Sequence, residues 1–285
     1  MNAQTLLRFA VIDTDADAPS LPISEVFVSI QGEGKLTGTP SLFIRVSGCN
    51  LRCKWCDTPY ASWNPTTDGQ GGGQRSIDDL IGEARGVREK GVRHAVLTGG
   101  EPMMFRGLCE LSARLAMPFA EGGAAMHITV ETAGTTIPKA GRWAPVCNLM
   151  SISPKLASST PRDDVRDPGN IWSARHEERR IKMDVLRDLL AGWPGSAVGI
   201  AGGRDRQLKF VASADGDSFA RDLEEIDTLL KALPLVEPDD VLLMPEGIAP
   251  PSAAHKANTI AACLKRGWRY CPRLHIELFG NRRGT

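Results

Sequence analysis

From residue 76 onward, short β-branched apolar runs alternate with stretches whose apolar residues recur at helical spacing, and no other feature restricts the fold as much. Ile77, Leu80, Ile81, Ala84 and Val87 share one face of a helix that Ser76 opens, with Asp79 placed for a capping box. The strand HAVLTG follows at 94–99. A helical stretch near 104–117 leads to the strand HITVET, and CNLMSISP at 147–154 closes on Pro154 and Lys155. Next come the strand RQLKFVAS, a helix aligning Phe219, Leu223, Ile226 and Leu230, the strand DVLLMPEG, a helix from about Ser252 to Lys265, and a last strand, RLHIEL. Alternation at this pitch predicts an α/β fold, a parallel sheet covered by helices, and about six such units suit a barrel or partial barrel. In that architecture the chemistry lies at the carboxyl ends of the strands.

Ahead of this region, EVFVSIQ (25–31) and SLFIRVS (41–47) read as two strands joined by the glycine-rich turn QGEGKLTGTP. Residues 61–75, Pro- and Gly-rich, predict a flexible surface loop. Residues 156–205 break the pattern and read as an insertion: a polar segment, one helix carrying Ile181, Val185 and Leu189 on a face, then a Gly-rich loop.

Composition narrows the function classes. At 285 residues and 42% hydrophobic, the chain can bury a substantial core. Lys plus Arg and Asp plus Glu both total 34, so no global field draws it onto nucleic acid or an anionic membrane. The first residues turn acidic after a short apolar run, unlike a secretory signal, and no stretch is apolar for the length of a bilayer. A cytoplasmic protein is expected, its seven cysteines reduced thiols or ligands. Cys109, Cys147, Cys263 and Cys271 are scattered and read as small buried hydrophobes.

The other three stand together in GCNLRCKWCDTPYA, residues 48–61: Cys49, Cys53 and Cys56. A structural zinc needs a fourth ligand, which a distant His94, Cys109 or Cys271 would have to supply. A redox pair of Cys53 and Cys56 leaves Cys49 idle. Three thiolates instead suit a four-iron cluster in which one iron stays open to a small chelating molecule.

The C-x3-C-x2-C spacing, with the aromatic Trp55 before the last cysteine, resembles the radical S-adenosylmethionine (SAM) superfamily. LTGGEP (97–102), VETAGT (130–135), SISPK (151–155) and LMPEG (243–247), all at predicted strand ends, match positions where that superfamily binds SAM or substrate. SIQGEGKLTGTPSLFIRVSGCNLRCKWCDTPYA is similar throughout to the 7-carboxy-7-deazaguanine synthase family, and the likeness continues through LKFV and RLHIELFGNRRGT but not over 156–205. It implies a partial (β/α)6 barrel of the radical SAM type in one domain, 1–285. Within it, 22–155 would form the cluster and SAM-binding half, 156–205 the insertion, and 206–285 the half that closes the substrate site.

The implied reaction converts 6-carboxy-5,6,7,8-tetrahydropterin to 7-carboxy-7-deazaguanine with loss of ammonia, in 7-deazapurine (queuosine-type) biosynthesis. The implied cofactors are a 4Fe-4S cluster, SAM and Mg²⁺. An electron donor such as flavodoxin or ferredoxin is the implied partner, a homodimer is allowed, and no nucleic acid or membrane is involved.

Carried onto this sequence, the resemblance assigns Cys49, Cys53 and Cys56 to the cluster and the Thr58 hydroxyl to Mg²⁺, although Thr58 also reads as a turn cap. Gly99, Gly100, Glu101, Ser153, Lys155 and Trp55 become SAM or cluster neighbours; glycines without Cβ would let the backbone approach a ligand and Glu101 would add an acceptor. Gln31 and Glu33 would read the pterin's amide and amine edge, Arg45 would clamp its carboxylate, and Thr98 would face it. Glu131, a carboxylate ending an apolar strand, and His275, placed in the last strand, are the candidate acid–base groups. A glycyl-radical-enzyme activase with the same cysteine motif and a zinc-binding interaction module stay open as alternatives.

Overall fold

The computed structural model describes residues 20–138, 145–191 and 205–285. The acidic N-terminal stretch and the Gly-rich end of the insertion lie outside these residues.

Among the described residues nine strands form one sheet in the order β3-β1-β2-β4-β5-β6-β7-β8-β9. They are β1 (Ser20–Ile30), β2 (Pro40–Val46), β3 (Gly73–Ser76), β4 (His94–Gly99), β5 (His127–Thr132), β6 (Leu149–Ile152), β7 (Asp205–Ala212), β8 (Val241–Pro245) and β9 (Arg269–Tyr270). From β2 through β9 each neighbour in the sheet is parallel, while β1 runs antiparallel to both β2 and β3. The order does not close on itself, which is the partial barrel expected.

Helices link the strands: α1 (Pro59–Ser62), α2 (Ile77–Glu89), α3 (Gly107–Ala116), α4 (Ile171–Arg179), α5 (Met183–Ala191), α6 (Gly216–Lys231), α7 (Ala253–Arg266) and α8 (Leu274–Phe279). Two start as the sequence predicts, at Ser76 and Ser252, and α6 starts at an Asp215 cap that sequence reasoning missed. The side chains of Ser76, Asp215 and Ser252 accept the amide of the residue three positions on, satisfying a donor that the first turn leaves free.

Alternation along the strands sorts the side chains into two populations. Leu42, Ile44, Leu97, Ile128, Val130, Leu208, Phe210 and Leu243 join the helices in the main core. On the opposite, inner face Phe27, Phe43 and Val96 pack together low in the barrel, with Phe27 and Phe43 stacked at 5.0 Å. Above that plug the inner positions turn polar. Arg45 and Thr98 are register partners, as are Glu131 and Ser151, and Lys209 shares their face. A bulge in β1 between Ile23 and Glu25 matters here: Ile23 faces the helices, yet Glu25, two residues on, pairs with Arg45 on the inner side.

Four local expectations are corrected. The 61–75 stretch is not a free loop: Gly73–Ser76 forms the sheet's edge strand and the Val26 amide donates to Gln70 O. Its glycines permit close approach to β1, since a Cβ on Gly72 would lie 2.7 Å from Ser24 O. Among its described residues the insertion holds two helices rather than one, and Ile181 lies between them. RLHIEL is not a strand; Leu274–Phe279 is a short helix after Pro272, and the last strand is the pair Arg269–Tyr270. His275 therefore sits in the first turn of α8.

Candidate active site

The cysteines follow β2 directly. Cys49, Cys53 and Cys56 pack in one group with Leu51, Trp55 and Ala133, the last at the end of β5. Burial pushes the Cys49 thiol up to about 12 and Cys53 higher still, and each feels the charge of its neighbours, so all three are close. Among the described residues no three His, Cys, Asp or Glu side chains converge as a single-ion site. Thiolates of this kind are the donors that an iron–sulfur cluster takes, and ligation at Cys49 and Cys53 would release the protons that burial retains. Two further observations fit. Trp55 Nε1 is buried with no hydrogen-bond partner, and its ring lies 5.7 Å from Lys155 Nζ. Thr58 stands at the N-cap position of α1, yet its hydroxyl makes no capping bond and instead shares a hydrogen bond with Cys56 Sγ at 3.7 Å, which sets it beside the thiols.

The glycines at the end of β4, Gly99 and Gly100, also have a packing role. A Cβ on Gly99 would fall 2.3 Å from Val46 O, and one on Gly100 would fall 2.0 Å from Gly48 O. Gly100 N donates to Val46 O and Glu101 N to Gly48 O, so the loop after β4 is laced to the loop that carries the cysteines. Glu101 joins the same lacing. It is fully buried, and its carboxylate accepts from Met103 N at 3.0 Å, Thr132 Oγ1 at 2.8 Å and Ala133 N at 2.8 Å. Its oxygens are spent tying the end of β4 to the end of β5. Ser153 and Lys155 lie together beyond β6, with Lys155 Nζ donating to Ser153 Oγ at 2.8 Å.

Three of the predicted substrate residues meet. Glu131 accepts from Thr98 Oγ1 at 2.8 Å on one oxygen and from Gln31 Nε2 at 3.2 Å on the other. Gln31 Oε1 takes the Glu33 amide at 3.3 Å, which sets the QGEG turn over the barrel mouth. His275 comes to the same place: a Cβ on Gly32 would lie 2.0 Å from its Nδ1, and Leu274 N donates to Gly32 O. Burial lowers the affinity of His275 for a proton, with Glu33 and Asp57 opposing.

Around Glu33 stand groups that sequence reasoning missed. Lys209 and Arg273 both pair with its carboxylate, and Arg273 continues to Asp57 and Gly247 O. Burial alone would raise the Glu33 carboxyl, but the charges of Lys209 and Arg273 overcome it and hold it well below its ordinary value. Cys271, fully buried, accepts the Gly34 amide at 3.2 Å and sits in a group with Val211, Leu242 and Met244 against which Trp55 packs. The signal for Lys209 was a lysine interrupting an otherwise apolar strand. Arg273 and Asp57 carried none, because their partners are 240 and 216 residues away along the chain.

Arg45 uses Nε on Glu25 at 2.7 Å, among the described residues its one hydrogen bond, so both terminal nitrogens stay free. Glu25 is 1% exposed and also takes Tyr60 Oη at 2.9 Å and Arg283 Nε at 3.2 Å. Arg283 reaches back from the C-terminal tail, lies 4.2 Å over the Tyr60 ring and pairs with Asp68 at 2.9 Å.

Comparison with known proteins agrees with this geometry. Residues 43–207 match the family described as the Radical SAM superfamily. The chain is 42% identical over 274 residues to the 7-carboxy-7-deazaguanine synthase of Rhodopirellula baltica, covering 96% of this chain and 92% of the relative. It is 40% identical over 272 residues to the enzyme of that name from Halobacterium salinarum, covering 93% of each. Its fold matches the crystal structure of QueE from Escherichia coli with a TM-score of 0.59 and 25% identity, over 90% of this chain and 95% of that one. A partly buried three-thiol loop at the mouth of a partial barrel, beside the Gln31–Glu131–Thr98 group, thus accompanies near full-length likeness, and the chain belongs to the 7-carboxy-7-deazaguanine synthase family of the radical SAM superfamily.

Proposed function

We propose that this protein is a radical SAM lyase that converts 6-carboxy-5,6,7,8-tetrahydropterin to 7-carboxy-7-deazaguanine with loss of ammonia, serving 7-deazapurine biosynthesis. One observation supports it above the rest: Gln31, Thr98 and Glu131 converge in a polar inner layer at the same end of the barrel as the three thiols. When bound, the 4Fe-4S cluster and SAM supply a carbon radical that abstracts hydrogen, and Mg²⁺ supplies a hard positive charge.

The residues have these roles. Cys49, Cys53 and Cys56 hold the cluster, and the Thr58 hydroxyl, unused in capping, faces Mg²⁺. Lys155, Ser153 and Trp55 border the SAM site, whereas Gly99, Gly100 and Glu101 shape it through the lacing of the two loops. Glu33, kept ionised by Lys209 and Arg273, presents an anion that suits the N–H donors of a pterin edge, and Gln31 supports it through the Glu33 amide. Arg45, steadied from behind by Glu25, offers its two terminal nitrogens to the substrate carboxylate. Glu131 is placed to move a proton, and His275 over the QGEG turn is its counterpart.

A small acidic redox protein of the flavodoxin or ferredoxin kind is the electron donor, and the cytoplasm is the setting. Among the described residues no helix is long and apolar enough to cross a membrane. Assembly as a homodimer belongs to the same reading and is checked by sedimentation. No observation favours a glycyl-radical activase or a zinc module. The deciding experiment is anaerobic incubation of the reconstituted, reduced protein with SAM and the carboxytetrahydropterin; a deazapurine product is expected, and its absence overturns the assignment.

A further inference from the structure

The part of the insertion that the structure describes is packed against the cysteine loop. On α4, Trp172, His176 and Arg179 follow at intervals of four and three residues and so share one face. All three touch residues 50–52: the Arg52 guanidinium stacks 4.2 Å over the Trp172 ring, Arg52 N donates to His176 Nδ1 at 3.3 Å, and Arg179 Nη1 donates to Asn50 O at 3.4 Å. Just before α4, Ser159 O accepts the Lys54 amide at 2.8 Å and Arg166 Nη2 donates to Lys54 O at 2.7 Å. The helix is itself anchored, because the Asp167 carboxylate takes the amides of Trp172 at 2.9 Å and Ser173 at 2.8 Å.

His176 joins these contacts. It is 1% exposed, and its Nε2 lies 2.9 Å from Ser159 Oγ. The Ser159 hydroxyl proton already goes to Leu156 O at 2.6 Å, so Ser159 Oγ accepts and Nε2 must carry the imidazole hydrogen. Nδ1 is then the acceptor that the Arg52 amide needs. A histidine that merely filled space would show no such directed pairing at both nitrogens.

We propose that His176 is a positioning residue for the iron–sulfur site: together with Ser159 it fixes the amides of Arg52 and Lys54, which flank Cys53, and so aims that thiol before metal arrives. This rests on the reading that Cys49, Cys53 and Cys56 hold the cluster. The described part of the insertion and the cysteine loop thus form one unit, and that part acts as a mould for metal uptake.

The test begins with iron-free wild-type protein, in which hydrogen exchange at the Arg52 and Lys54 amides is expected to be slowed about tenfold or more against an open chain. Exchange at the open-chain rate overturns the proposal. The His176→Phe variant should keep the far-ultraviolet circular dichroism of the wild type while Arg52 exchange quickens about tenfold and reconstituted iron falls below the wild-type level. The His176→Asn variant, whose carboxamide oxygen can take the place of Nδ1, should recover both. Unchanged exchange and iron in His176→Phe, or no recovery in His176→Asn, refutes the role; if His176→Phe does not fold, the wild-type exchange and His176→Asn still decide. A wild type that protects both amides yet takes up no iron sinks the cluster reading, and with it the purpose assigned to His176.

Discussion

At Arg45 a single side chain shows how much the mouth of the barrel depends on groups behind it. Its Nε is held by a carboxylate that is 1% exposed, so the guanidinium cannot swing freely, and its terminal nitrogens point a charge at whatever enters. Arg45→Ala is expected to weaken binding of the carboxytetrahydropterin by about 1.5 to 3 kcal/mol, one charge-assisted bond, with the cluster intact. Calorimetric titration with SAM present measures it, and unchanged affinity dismisses the clamp. Replacing Cys49, Cys53 or Cys56 by Ala should abolish the brown absorbance and the bound iron, as counted after anaerobic reconstitution. The thiols and the polar turn residues were legible because their chemistry is local: a spacing of three cysteines, or a carboxylate ending an apolar strand. Glu25, Lys209 and Arg273 were not, since each gains its meaning from a partner at least 20 residues away.

Among the elements, the strands were read almost to the residue wherever apolar inner and outer faces are both buried, as in HAVLTG and HITVET. Reading failed where six residues suit either period. Leu274, Ile276 and Leu278 alternate as in a strand, yet only Ile276 is buried, while the backbone bond from Leu274 to Gly32 and the contact of His275 with that glycine set a helix. Gly99 and Gly100 stood out for the absence of Cβ, and the structure adds a packing reason for it in the backbone of Val46 and Gly48. Gly100→Ala should cost about 3 kcal/mol in urea unfolding of the iron-free protein, because the clash is with backbone rather than with a ligand. Equal stability would return the glycines to a purely ligand-facing role.

A second prediction on this scale concerns His94, which bridges β2 and β5 through Ser41 and Thr129 at 2.7 Å each. Burial, helped by His127, lowers it to about 4. Unfolded, the imidazole takes a proton near about 6.5. Stability from this group is therefore whole above that pH and falls as pH drops towards 4. Urea midpoints at neutral and mildly acidic pH should show the decline, smaller in His94→Gln, and an identical decline in both proteins clears His94 of it.

For the molecule as a whole, the partial barrel was legible from the count and pitch of strand–helix units, but the way its open side is managed was not. Both edges are short, four residues in β3 and two in β9, which leaves little backbone for another chain to pair with. Across the top, Arg283 ties the tail to Glu25, Asp68 and Tyr60. Arg283→Ala should release residues beyond Gly280, seen as faster exchange and earlier proteolysis there, and lower substrate affinity severalfold without loss of iron; a tail equally protected in the variant counts against the tie. The lacing of the cysteine loop has a consequence for how the protein is made. Synthesis delivers the loop first, and the imidazole that meets Arg52 follows 124 residues later. Until then the amides beside Cys53 lack the partners that the insertion supplies, so iron loading belongs after translation has passed α4, and a pause before it would leave incompletely shaped thiols open to oxidation.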